Sequence, residues 1–129
     1  MHINRRTFGS AIACASAAGL LAPNAWAQKP LVLGFSQVGA ESEWRTANTE
    51  SIKSAAKEAG IELKFSDAQQ KQENQIKAIR AFIAQKVDVI AFSPVVESGW
   101  EPVLREAKAA KIPVVLTDRA VNTKDTSLY

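Results

Sequence analysis

Residues 30–129 alternate between short apolar runs and longer segments with the spacing of amphipathic helices. The apolar runs, at 31–35, 61–65, 87–92 and 113–117, are rich in Val, Ile, Leu and Phe, so each predicts a strand. The first, third and fourth are almost continuously apolar, which is typical of strands buried on both faces of a parallel sheet. The second, "IELKF", alternates apolar and polar residues and is expected at a sheet edge.

Each gap between the strands carries an apolar stripe at helical spacing. The stripes comprise Ile52, Ala55, Ala56 and Ala59 in the first gap, Ile76, Ile79, Phe82 and Ile83 in the second, and Trp100, Val103, Leu104 and Ala107 in the third. Gly60 is expected to end the first helix. Ser98 with Glu101 three residues later predicts a capping box for the third helix. Because Trp100 lies on its stripe, we expect it to be a packing residue.

The order β-α-β-α-β-α-β predicts an α/β fold with a doubly wound parallel sheet, because right-handed crossovers place helices on both faces. Ligands of such sheets bind beyond the carboxyl ends of the strands. We expect the first and fourth strands to end side by side, which would bring the residues that follow them together. Residues 126–129, "TSLY", would begin a further strand, leaving "PVVLT" (113–117) as an exposed apolar edge.

Residues 1–27 differ from the rest of the chain and predict a secretory signal peptide. They contain a basic start, a small-residue and apolar middle, an A-x-A end at residues 25–27 and no acidic residue. Arg5 and Arg6, followed by Thr7, favour a twin-arginine signal over general export machinery. Cys14, the only cysteine, is expected to be a small apolar residue of the signal rather than a lipoprotein cysteine. The mature part, residues 28–129, is expected in the periplasm.

Charge and composition exclude several function classes. Two of the 16 Lys and Arg residues lie in the signal and all 13 acidic residues follow it, so the mature part carries 14 − 13 = +1. We therefore expect no nucleic-acid partner. The only histidine, His2, lies in the signal, so the mature part has no His-based triad or imidazole metal site. No glycine-rich phosphate loop is present. We expect that the protein is not an enzyme. The remaining catalytic alternative is a hydrolase that uses Glu41 or Glu43 together with Asp118.

Charged and aromatic residues follow the first and fourth predicted strands. These candidate ligand-binding residues, here called the rim residues, are Glu41, Ser42, Glu43, Trp44, Arg45, Asp118 and Arg119. Each hydroxyl of a neutral sugar both donates and accepts, so carboxylates and guanidinium groups suit it through charge-assisted hydrogen bonds. An indole suits the apolar C–H face of a sugar ring. Together the rim residues predict a sugar site.

Each rim residue also has a simpler interpretation when it is taken alone. Glu41 and Glu43 could only favour the positive end of the first helix. Arg45 could lie on a solvated helix face, and Trp44 could be part of the core. Asp118 directly follows a buried strand together with a second charged residue, so it must find a partner or remain poorly solvated.

Four segments carry a resemblance to a known family. "GFSQVGAESEWR", "QQKQENQIKAIRAFIAQ", "PVVESGWEPVLREAK" and "IPVVLTDRAV" together resemble the amino-terminal lobe of periplasmic sugar-binding proteins of ribose-type ABC importers, a type 1 periplasmic binding protein fold. The likeness is strongest to the galactofuranose-binding members and covers residues 30–129. It implies that all seven rim residues contact the sugar. Where we expect glycine in those members, this chain has Glu43.

The resemblance implies a periplasmic solute-binding component of an ABC sugar importer. It would bind a monosaccharide such as galactofuranose, deliver it to a permease in the inner membrane, and use no cofactor or metal. The alternative is a periplasmic sugar sensor that presents ligand to a chemoreceptor or sensor kinase. Because such proteins have two lobes and about 300 residues, we expect the second lobe to be absent here and the chain to be a fragment or a truncated product.

Overall fold

The computed structural model describes residues 29–129, so the predicted signal peptide and Cys14 lie outside the described residues. The elements follow the predicted order. They are β1 (Val32–Gln37), α1 (Glu43–Glu58), β2 (Glu62–Asp67), α2 (Gln72–Ala84), β3 (Val89–Phe92), α3 (Glu101–Ala109), β4 (Val114–Leu116) and a short 3₁₀ helix (Thr126–Leu128). No helix in this part of the chain is long and apolar enough to cross a membrane.

The four strands form one parallel sheet in the order β2-β1-β3-β4. The doubly wound α/β prediction is confirmed, and β2 lies at an edge as its alternating pattern indicated. The expectation that β1 and β4 end side by side is wrong, because β3 pairs with both and separates them. The strand order switches between β1 and β3, which is where doubly wound folds place ligands.

The main hydrophobic core lies between the sheet and the helix pair α2 and α3. Side chains alternate along β1, so Val32 and Gly34 face this layer; a Cβ added at Gly34 would meet the Phe82 ring at 2.5 Å. Trp100 is 1% exposed, and its ring lies 4.8 Å from that of Phe92. The prediction that Trp100 is a packing residue is confirmed.

The opposite face of the sheet is covered by α1 and is packed less tightly. Phe35 of β1 stacks on Phe65 of β2, with ring centroids 6.2 Å apart. Only Ala56 and Arg45 are buried on α1, and Ala55 of the predicted apolar stripe is exposed. Val115 of β4 is 48% exposed, as expected of a strand at a sheet edge.

Two local predictions are wrong. Gly99, with φ +85°, turns the chain before α3, so Trp100 and not Ser98 occupies the N-cap position and no capping box forms. The Glu101 side chain instead accepts hydrogen bonds from Arg105 one turn later. Within residues 126–129, Thr126–Leu128 form a 3₁₀ helix instead of the start of a strand, and Leu128 is buried in the core.

Candidate functional site

The start of α1 carries the first group of rim residues. Ser42 is the N-cap, with extended backbone, and its hydroxyl accepts a hydrogen bond of 3.2 Å from the backbone N–H of Arg45. This cap places Glu43, Trp44 and Arg45 in the first turn of the helix. The sequence "ESEWR" therefore presents its indole and guanidinium groups at the carboxyl end of the sheet, directly after β1.

Arg45 is the central residue of the site. Its side chain is only 5% exposed, its Nε lies 3.1 Å from Glu41 Oε1, and its Nη2 lies 2.8 Å from Asp118 Oδ2. The interpretation of Arg45 as part of a solvated face is therefore wrong. The pair with Asp118 connects the first turn of α1 to the turn after β4, although β1 and β4 are not neighbours in the sheet.

Asp118 and Arg119 form a tight turn after β4. Asp118 has φ +66°, in the left-handed region that Asp and Asn tolerate better than most residues, and the N–H of Arg119 donates to the carbonyl of Thr117 at 2.7 Å. Arg119 Nη1 donates to the carbonyl oxygen of Val95 at 3.2 Å. Its Nε lies 3.7 Å from Asp118 Oδ2, so the charged groups run in one series from Glu41 to Arg119.

Trp44 lies beside this series and not in the core. It is 54% exposed, so the interpretation as a core residue is wrong. Arg45 Cζ lies 4.8 Å from the centroid of the Trp44 ring, a distance at which a guanidinium attracts an aromatic face. This contact restrains the indole while more than half of its surface remains accessible, which suits a stacking platform for an apolar ligand face.

The remaining rim residues border open hollows. Glu41, Ser42 and Glu43 line a hollow of about 530 Å³, and Asp118 with Arg119 lines another of about 470 Å³ beside β4. The Arg45–Asp118 ion pair links the start of α1, beside the first hollow, to the turn that borders the second. The Glu43 side chain is exposed and makes no ion pair or hydrogen bond within residues 29–129, so it is the rim residue with the fewest constraints.

One donor of the site has no partner in the described part of the chain. Arg45 Nη1 is enclosed and makes no hydrogen bond there, whereas Nε and Nη2 are each paired with a carboxylate. Arginine carries five N–H donors, and an enclosed donor without an acceptor is costly. Because Nη1 is enclosed, a ligand oxygen could supply the missing acceptor only if the neighbouring side chains moved apart.

Two buried glutamines that are not among the predicted rim residues support the site. Gln37, at the end of β1, donates from Nε2 to Asn48 Oδ1 at 2.9 Å and to Thr49 Oγ1 at 3.2 Å, which fixes α1 to the strand. Gln75 packs beneath the loop after β3. A signal for Gln75 existed, because it lies four residues before Ile79 and therefore on the apolar stripe of α2.

Side chains that commonly bind metals do not cluster within the described residues. No group of three or more His, Cys, Asp or Glu side chains within residues 29–129 has a suitable arrangement. The carboxylates of the site, Glu41 and Asp118, are instead occupied by the guanidinium of Arg45. The arrangement is therefore suited to hydrogen bonding and stacking.

Comparisons with known proteins agree with the fold described above. A family model described as a periplasmic binding protein domain matches residues 33–129. Galactofuranose-binding protein YtfQ of Escherichia coli (strain K12) is 63% identical over 100 residues, which are 78% of this chain and 31% of that protein. The chain thus spans about a third of the length of this curated relative.

Two solved structures are also similar. One is a Mycobacterium smegmatis protein in complex with β-D-fucofuranose, with 72% identity and a TM-score of 0.75 over 77% of this chain and 33% of that one. The other is the periplasmic binding protein component of the arabinose ABC transporter from Shewanella sp. ANA-3, bound to α- and β-L-arabinofuranose. It has 64% identity and a TM-score of 0.75 over 76% of this chain and 32% of that one. The described fold and these matches establish that the chain belongs to the periplasmic binding protein domain family.

Proposed function

We propose that this chain forms the amino-terminal sugar-binding lobe of a periplasmic solute-binding component of an ABC sugar importer. The observation that carries the proposal is the environment of Arg45, a buried guanidinium held by two carboxylates with one enclosed donor unpaired among the described residues. If the neighbouring side chains move apart on binding, this donor can bond a sugar oxygen without first losing a hydration shell. The rim residues would therefore bind the sugar by hydrogen bonds, with Trp44 as the stacking surface.

The preferred ligand is a monosaccharide in its five-membered ring form, such as galactofuranose. This choice rests on the relatives, since one is named for galactofuranose and two structures contain β-D-fucofuranose or L-arabinofuranose. The charges of this chain fit a neutral sugar: Glu41 and Asp118 can accept from hydroxyl groups, and Arg45 and Arg119 can donate to hydroxyl oxygens. Glu43 adds an acceptor at the edge of the site.

The cellular role follows from the family and from the predicted signal peptide. The protein would be exported to the periplasm, bind its sugar reversibly, and release it to a permease in the inner membrane. It would carry out no catalysis. None of the relatives described above is named as a sensor or as a partner of a chemoreceptor, so no observation favours the sensor alternative.

The test uses ring-locked sugars with the purified chain. Methyl β-D-galactofuranoside and methyl β-D-galactopyranoside have the same composition and differ in ring size, so they separate furanose recognition from general sugar binding. We expect the furanoside to raise the melting temperature and to change tryptophan fluorescence, and the pyranoside to do neither at the same concentration. L-arabinose, which has an accessible furanose form, should give an intermediate effect.

Matched variants identify the residues involved. In Trp44→Phe the fluorescence change should largely disappear while stacking is partly kept, and Arg45→Met should abolish the thermal shift. Equal effects of the furanoside and the pyranoside would contradict furanose recognition. If neither sugar binds and deletion of the gene leaves L-arabinose and galactofuranoside uptake unchanged, the importer proposal is wrong.

A further inference from the structure

The side-chain amide of Gln75 is fully used by one short stretch of backbone. Gln75 lies in the first turns of α2 and is completely buried. Its Nε2 donates to the carbonyl oxygen of Ser93 at 2.7 Å, and its Oε1 accepts from the N–H of Val95 at 2.9 Å. The amide thus pairs with residues 93–95 as the backbone of a neighbouring strand would.

This stretch needs such a partner because of its sequence. Pro94, between the two contacted residues, has no N–H and cannot extend the hydrogen bonding of β3. The chain leaves the sheet here, and its buried C=O and N–H groups would otherwise be unsatisfied. A polar residue on the apolar stripe of α2 is costly unless both of its amide atoms are paired, and at Gln75 they are.

Val95, which is hydrogen-bonded to Gln75, is also hydrogen-bonded to the rim residue Arg119. Val95 receives the support of Gln75 through its N–H, and its carbonyl oxygen accepts from Arg119 Nη1 at 3.2 Å. A second link ties the same loop to the end of β4, where Ser93 Oγ lies 2.9 Å from Thr117 Oγ1. The direction in which Arg119 extends therefore depends on the conformation of residues 93–95.

We propose that Gln75 is a positioning residue for the sugar site: its amide fixes residues 93–95, and Val95 in turn fixes the guanidinium of Arg119. The proposal rests on the proposed function for its relevance to sugar binding. The positioning itself is a property of the chain without ligand. It can therefore be tested separately from sugar binding.

The first experiment is carried out without sugar. NMR of the ¹⁵N-labelled chain compares the Nε–Hε signal of Arg119 in the wild-type protein and in Gln75→Met. The signal is assigned by its loss in Arg119→Lys. Methionine fills a similar volume but cannot form either hydrogen bond. We expect the Arg119 signal to move to the position of a solvated arginine and the Val95 amide to exchange with solvent at least about tenfold faster, since one fixed hydrogen bond of ~1.4 kcal/mol corresponds to that factor.

Two control variants separate positioning from general destabilisation. Gln72→Ala removes another contact between α2 and the same loop, the 2.6 Å hydrogen bond from Gln72 Nε2 to the carbonyl oxygen of Ser98, which lies away from Val95. Ala81→Gly lowers stability through helix propensity at an exposed position of α2. Neither control should move the Arg119 signal. Should Gln75→Met fail to fold, Gln75→Asn, which withdraws the amide by one methylene group, takes its place.

The second experiment measures L-arabinose affinity. We expect Gln75→Met to raise the dissociation constant about tenfold. Arg119→Lys should raise the dissociation constant less in the Gln75→Met protein than in the unmutated protein, because the two residues act on the same contact. An unmoved Arg119 signal in Gln75→Met, with Val95 amide protection lost, would overturn the positioning proposal. Absence of L-arabinose and methyl β-D-galactofuranoside binding to the original protein would count against the proposed function instead, while the ligand-free signal would still decide the role of Gln75.

Discussion

The two faces of the sheet are held to their helices by different forces. On one face, α2 and α3 pack a continuous apolar core around Trp100, Phe92 and Phe82. On the other face, α1 buries only Ala56 and Arg45, and polar contacts at its amino-terminal end fix it to the sheet. The helix that carries Trp44 and Arg45 is therefore the less firmly packed one. The difference indicates that one layer supplies stability and the other supplies binding groups.

The largest expected effect is the difference in the free energy of unfolding between substitutions of Trp100, on one face of the sheet, and Trp44, on the other. Trp100→Ala removes a buried indole that contacts Phe92 and donates from Nε1 to the carbonyl oxygen of Val96. We expect it to lower the free energy of unfolding by about 3 to 5 kcal/mol, a large fraction of the stability of a small domain. Trp44→Ala should change it by less than about 0.5 kcal/mol, because that indole is mostly exposed.

Urea denaturation followed by circular dichroism measures both changes. The same two proteins should rank oppositely in sugar binding, since Trp44→Ala removes the proposed stacking surface and leaves the core intact. Similar losses of stability in the two variants would mean that the α1 face is packed as firmly as the α2 and α3 face.

The next effect concerns the ion pair that fixes α1 to the loop after β4. Asp118→Asn leaves the buried Arg45 with Glu41 alone, whereas Arg45→Met leaves two carboxylates, Glu41 and Asp118, whose side chains are already 29% and 31% exposed and can be hydrated. We expect Asp118→Asn to destabilise the protein by ~1 to 2 kcal/mol and Arg45→Met by less, because a buried charge without its partner costs more. Asn also tolerates the left-handed backbone at this position, so the comparison isolates charge.

Thermal denaturation at low and high salt provides the readout for this pair. A larger loss in Arg45→Met than in Asp118→Asn would show that packing of the arginine side chain, and not its charge, holds α1.

A smaller effect is expected at the end of α2, where a substitution should increase the stability of the protein instead of decreasing it. Helix α1 is followed by Gly60 with φ +67°, but α2 is followed by Lys86 with φ +54°. Left-handed backbone is unfavourable for lysine and acceptable for glycine. Lys86→Gly should therefore stabilise the protein by about 0.5 kcal/mol, measured as a higher urea midpoint. The control is Lys57→Gly within α1, which should be destabilising because its backbone is helical.

The smallest effect is a pH dependence of the surface pair between α2 and α3. Hydrogen bonding from Arg80 lowers the pKa of the Glu106 carboxyl below its ordinary value of 4.5. Because the folded-state pKa is depressed, the stabilisation is present above pH 4.5 and is lost as the pH falls through the lower folded value. We expect Glu106→Gln to reduce the melting temperature slightly at pH 7 and not at all at strongly acidic pH. A difference that persists in acid would exclude the ion pair as its cause.

Much of the fold was readable from local patterns. Continuous apolar runs predicted the strands, and the alternation in "IELKF" correctly indicated an edge, because side-chain periodicity depends on which faces of a strand are buried. The position of Trp100 on a helical stripe correctly predicted its burial. The capping box at Ser98 failed because the turn at Gly99 intervenes, and a short motif contains no information about that turn.

The sequence predicted which residue types surround the site but not which of them contact one another. Sequence alone determined that charges and an indole follow the strands, because each of these positions is set by local secondary structure. It did not determine that β3 lies between β1 and β4, that Arg45 crosses this gap to reach Asp118, or that Gln75 supports the loop beside Arg119. Those contacts join residues 18 to 73 positions apart, and only the packing of the helices on the sheet brings them within hydrogen-bonding distance.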